Sequence, residues 1–99
     1  MYRVIIWSPL AEKDLENSLE YLSENWNQLV VIRFLHKIDL VIDQISKVST
    51  QYPIINKKLQ LRKCVVTKQN TLFYREVEER IEILRLYDTR QDPGKLQLI

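Results

Sequence analysis

Lys57 to Pro93 reads KKLQLRKCVVTKQNTLFYREVEERIEILRLYDTRQDP, and this stretch decides the fold. Apolar and β-branched residues fill three segments, roughly Leu59 to Thr67, Thr71 to Val77 and Arg80 to Tyr87, each predicted to be a strand. Polar breaks separate them. Lys68-Gln69-Asn70 offers an Asn that tolerates positive φ, and Glu78-Glu79-Arg80 is a charged interruption. Consecutive strands with short connections favour an antiparallel meander.

Upstream, Tyr2 to Trp7 (YRVIIW) reads as another short strand. Ser8-Pro9 then signals a helix start, with Ser8 as N-cap and Pro9 at the first helical position. Ala11, Leu15, Leu19, Leu22 and Trp26 recur at helical spacing as one apolar stripe, opposite Glu12, Lys13, Glu16, Glu20 and Glu24. Asn27 is the next cap. A second helix is expected from about Gln28 to Ser49, burying Val31, Phe34, Ile38, Ile42 and Ile45 with Leu35 and Val41 alongside. Pro53 closes it, and Ile54 to Asn56 reads as a connector with its isoleucines under the helices. The predicted fold is α+β with the order β-α-α-β-β-β. An N-terminal αα-hairpin packs on one face of a mainly antiparallel four-stranded sheet, and residues 1–99 form one domain.

Composition narrows the function classes. With 45% hydrophobic and 28% charged residues, the chain is ordinary for a globular domain. It has no apolar run of the roughly 20 residues that span a bilayer, and a cytoplasmic location is the expectation. Gly94 is the only glycine, which leaves no phosphate-binding glycine loop. One Cys and one His cannot make a zinc cluster, and no metal or cofactor is implied. Cys64 falls mid-strand, as a small buried hydrophobe does, and His36 sits with Asp39 and Asp43 on a charged helix rim.

Charge is distributed unevenly. Residues 1–56 carry five Lys/Arg against seven Asp/Glu, a net of −2, whereas residues 57–99 carry ten against six, a net of +4. Such a face suits nucleic acid or an acidic protein segment, or else its lysines guard a strand edge against aggregation. Arg, Lys and Tyr are the residues left to do chemistry: Lys63, Lys68, Arg75, Arg85 and Arg90 with Tyr74 and Tyr87. On an RNA they would hold phosphates and stack on bases. The bland alternatives are cross-strand pairing of Arg75 and Arg85 with Glu76, Glu78 or Glu82, and core packing of the tyrosines.

Several segments together resemble a known family. Trp7-Ser8-Pro9-Leu10-Ala11-Glu12-Lys13-Asp14-Leu15, then Tyr21-Leu22 and Trp26, is similar to the opening of RelE/ParE-family toxins of bacterial toxin–antitoxin systems. Leu61-Arg62-Lys63, Leu72-Phe73-Tyr74-Arg75, Ile81-Glu82-Ile83-Leu84 and Asp88-Thr89-Arg90-Gln91-Asp92-Pro93 resemble that family's later strands and closing signature. The resemblance implies a small toxin neutralised by a cognate antitoxin, as a homodimer or a toxin–antitoxin hetero-oligomer. Its target would be DNA gyrase for the ParE-like branch, or ribosome-bound mRNA for the RelE-like branch. For RNA cleavage it points to Lys68, Arg75 and Arg90 as catalytic residues. For gripping a target or antitoxin it points to Arg62, Lys63, Tyr74, Arg85, Tyr87 and Arg90. The C-terminal tyrosine of the RelE-like set has no counterpart in Gly94 to Ile99, and Lys57 and Lys58 only partly represent its lysine cluster. The ParE-like branch is therefore favoured.

Overall fold

The computed structural model describes residues 2–90. Its elements are β1 (Val4–Trp7), α1 (Pro9–Asn25), α2 (Gln28–Lys47), a 3-10 turn (Ser49–Gln51), β2 (Ile54–Asn56), β3 (Leu61–Val65), β4 (Asn70–Val77) and β5 (Arg80–Asp88). The architecture is α+β, with both helices on one face of a mixed sheet of order β1-β5-β4-β3-β2. β1 runs parallel to β5, and the remaining pairs are antiparallel. The sheet has five strands where four were expected. Ile54 to Asn56, read as a connector, pairs with Arg62 and Leu61 through an irregular register, and both isoleucines stay exposed rather than lying under the helices. A three-residue edge strand buries too little to leave a periodic trace in the sequence.

The helix caps form as their residue types dictate. The Ser8 hydroxyl accepts the Ala11 N–H at 3.0 Å and Asn27 Oδ1 accepts the Val30 N–H at 3.1 Å, satisfying N–H groups that have no partner in the first turn. The core between helices and sheet gathers Ala11, Phe34, Ile38 and Ile45 against Cys64, Leu72, Tyr74, Ile81, Ile83 and Leu86. Leu15, Leu19 and Leu22 pack at its margin. Trp26 and Leu35, both assigned to the buried stripes, do not join it; Trp26 lies just past the last turn of α1 and is 60% exposed. On the opposite sheet face Leu61, Phe73 and Tyr87 make a second, smaller cluster, because alternate residues of a strand point to opposite sides.

Positive φ appears at Gln60, Glu78 and Glu79, and not at Asn70, which was expected to use it. Asn70 instead opens β4 with its side chain buried, accepting from the Thr67 hydroxyl at 2.9 Å. Glu78 and Glu79, at φ 52 and 64, form the two-residue link between Val77 and Arg80. This is the hairpin geometry that Asn-Gly adopts without steric cost. Replacing Glu78-Glu79 by Asn-Gly should therefore raise stability by about 1–2 kcal/mol, read as a higher urea midpoint at unchanged m-value. An unchanged or lower midpoint would show that the glutamates carry no such strain.

Candidate functional site

The residues proposed from sequence divide between the two sheet faces and its ends. Tyr74 is fully buried on the helix side and donates its hydroxyl to the Ser49 carbonyl at 2.7 Å, so no ring face is left for a base or a partner. Burial pushes its phenol up to about 12. Arg62 also points to the helix side, donating to the Tyr52 carbonyl at 2.6 Å, where it ties the 3-10 turn to β3. Beside it the Ser49 hydroxyl, together with Arg3 at 2.7 Å, holds the Glu76 carboxyl below its usual range. Cys64 is buried, and desolvation raises its thiol, as befits a packing residue.

Arg85 is drawn into an ion pair with α1. β1 accompanies β5 only from Arg80 to Ile83, which leaves the rest of that edge of β5 without a strand. The start of α1 closes the gap. Ser8 donates from its N–H to the Ile83 carbonyl and from its hydroxyl to the Leu84 carbonyl, at 2.9 and 2.8 Å. Asp14 accepts the Leu86 N–H at 3.0 Å and two guanidinium N–H groups of Arg85 at 2.7 and 2.9 Å. Both side chains of the pair are only 11% exposed. Asp14 holds Arg85 in its charged form, so the glutamate partners suggested by strand spacing are not the ones used.

Across the other face, Arg75 pairs with Glu82 at 2.8 Å and holds that carboxyl below its ordinary range. Tyr87 packs with Phe73 and Leu61, and Lys63 stands exposed beside Phe73. At the far end of the sheet Arg90 grips Asp88 bidentately, at 2.6 to 3.2 Å, and lays its guanidinium 4.2 Å from the centre of the Tyr21 ring. Arg90 lowers the Asp88 carboxyl in turn. Lys68 lies in the β3–β4 turn at this same end, where the Thr89 N–H donates to the Gln69 carbonyl at 2.7 Å. Lys68 and Arg90 thus share one end of the sheet, whereas Arg75 sits five positions along β4 from Asn70, roughly 16 Å away at strand rise.

Around Arg90 the helices and the β3–β4 turn enclose two adjoining hollows of about 350 and 460 Å³, which share Ser18, Tyr21 and Arg90. The larger is walled by Tyr21, Leu22, Trp26, Val30 and Phe34, and its cations are Arg33, Lys37 and Arg90. Sequence reasoning missed Trp26, Arg33 and Lys37 as site residues. The available signal was a tryptophan set between Asn25 and Asn27, where a hairpin tip rather than a core was due.

The sequence matches the model of the ParE toxin of type II toxin–antitoxin systems, parDE, over residues 5–93. The chain belongs to the ParE toxin family. No curated protein matches it significantly. Among solved structures, this ParE-family chain is similar to the chromosomal ParDE system of P. aeruginosa at TM-score 0.73 and 15% identity, over 88% of this chain and 96% of that one. It also resembles the YoeB dimer of Staphylococcus aureus (TM-score 0.61, 16% identity, 88% and 97% covered). The DinJ–YafQ toxin–antitoxin complex of E. coli matches at TM-score 0.63 and 12% identity, over 91% and 96%. At these identities the likeness concerns the fold.

Proposed function

We propose that this chain is a ParE-like toxin of the bacterial cytoplasm that stops growth by gripping a protein target, DNA gyrase, and that a cognate antitoxin neutralises it. One observation carries the choice over RNA cleavage. The two arginines that cleavage would need do not converge, Arg75 being bound to Glu82 at one end of the sheet and Arg90 to Asp88 at the other. Electrostatic stabilisation of a phosphorane requires donors converging on one point, and two guanidinium groups so engaged and so far apart do not supply it. The family match supports the toxin and antitoxin parts of the reading.

A ribosome-dependent endonuclease is the second reading, favoured by the placement of Lys68 and Arg90 at the end of the sheet where Thr89 bonds Gln69. Induced expression followed by mapping of mRNA 5′ ends and of plasmid topology separates the two. The gyrase reading predicts relaxed plasmid and a DNA-damage response with transcripts intact. Codon-phased cuts that disappear in R90A would establish the nuclease instead. Unchanged growth would remove both activities and leave an antitoxin-binding module.

A further inference from the structure

We propose that the hollow between the helix hairpin and the β3–β4 turn receives an acidic segment of the antitoxin, its apolar side chains against Trp26 and Phe34 and its carboxylates on Arg33 and Lys37. This rests on the antitoxin reading and locates the contact within the chain. It also moves the docking expectation away from Arg62 and Arg85, which are committed to internal contacts.

Three observations point to this occupant. First, the described lining of the 460 Å³ hollow contains three cations and no Asp or Glu. Arg33 and Lys37 make no ion pair among the described residues, and they stand four positions apart on α2. Like charges at that spacing repel, at a small cost to the helix, and a carboxylate placed between them would turn that cost into attraction. Arg90 differs, since Asp88 neutralises it and its plane caps Tyr21, making it wall more than bait.

Second, the hollow's apolar rim is left in water. Trp26 is 60% and Tyr21 40% exposed beside the buried Phe34. A large exposed aromatic next to an arginine that has no ion pair among the described residues, at a concave site, is the composition of an interface centre. Third, the polar groups at its base are already occupied. Asn70 donates to the Ser18 hydroxyl at 3.4 Å and accepts from Thr67, which leaves few donors or acceptors to read a nucleobase. Apolar walls with engaged polar groups suit the side chains of a peptide.

The test uses this chain and the product of the adjacent reading frame, where the antitoxin is expected, titrated by calorimetry at two salt concentrations. Wild type should bind, R33E/K37E should lose at least 10-fold and W26A a similar factor, with the salt dependence flattened in the charge variant. K13E, on the outer face of α1, is the control expected to bind as wild type. Arg33, Lys37 and Trp26 are exposed, and unchanged circular dichroism would certify the fold of each variant. Wild-type binding with both groove variants unaffected overturns the location and leaves the antitoxin reading standing. Failure of wild type to bind overturns that reading and the location with it. Two further controls run alongside, a 12-nucleotide single-stranded RNA and sedimentation of the chain alone. The inference also falls if the RNA binds wild type but not R33E/K37E while the protein does not bind. Self-association through this hollow, with the Glu12, Glu16, Glu20 and Glu24 stripe of a second copy as the acid, would likewise replace it.

Discussion

Replacing Asp14 by Ala should cost about 3–5 kcal/mol, enough to leave the domain largely unfolded at 37 °C. The carboxylate does two things at once. It pairs with a guanidinium that is 11% exposed on its side chain, and it satisfies the Leu86 N–H on a strand edge that β1 does not reach. Removing it strips a buried positive charge of this carboxylate and orphans a backbone donor, and both losses carry desolvation penalties. D14N keeps an acceptor for Leu86 and should cost less than D14A. The double variant D14L/R85M should recover much of the loss, because replacing both charges by apolar groups leaves neither member of this pair facing a missing partner. Urea unfolding reads all three. A loss below about 1 kcal/mol for D14A would mean the pair is a surface ornament of the kind that contributes little.

Tyr74 is the second position where a large effect is expected. Y74A should cost about 3–5 kcal/mol, through the cavity left beneath the helices and the loss of a hydrogen bond to Ser49. Y74F keeps the ring and leaves only the Ser49 carbonyl unsatisfied, for about 1–3 kcal/mol. The two variants should also differ from wild type in alkali. A phenol whose proton is held more tightly in the folded state, at about 12, than in the unfolded state, near 10, stabilises fully below pH 10. That contribution is lost as pH rises from 10 through 12. Y74F lacks the group, so its stability should fall less steeply over that window, with Tyr52, also pushed up to about 12 by burial, accounting for the remainder. A Y74A variant as stable as wild type would restore the exposed, stacking role that its position in a basic strand suggested.

The contrast between Tyr74 and Arg90 shows where sequence reading runs out. Strand and helix identities were legible because each follows from local periodicity: Ser8-Pro9 started α1 where predicted, and all four expected strands fell within two residues at each end of their final bounds. The face a side chain takes is less local. Tyr74 and Phe73 fall on opposite faces by strand alternation, but which of the two faces the helices cover is set by the packing of α1 and α2 and not by β4 itself. Asp14 and Arg85 are 71 positions apart, and nothing in either neighbourhood announces the other. The strand at Ile54–Asn56 exists only because β3 offers it an edge. The groove was hidden for a related reason: Arg33 and Lys37 look like a solvated helix face until the β3–β4 turn is folded opposite them. The family motifs, by contrast, were legible almost throughout, since the match runs from residue 5 to 93. Arg90, the most informative residue of the closing motif, is also the one that borders the groove.

The most direct test of the gyrase reading is a supercoiling assay with the purified chain, purified gyrase and relaxed plasmid, with and without the expected antitoxin from the adjacent reading frame. The account predicts inhibition of supercoiling, relieved when that antitoxin is present in equimolar amount, and no cleavage of mRNA on translating ribosomes in a parallel reaction. Full supercoiling activity at excess toxin, accompanied by ribosome-dependent cuts, would contradict it.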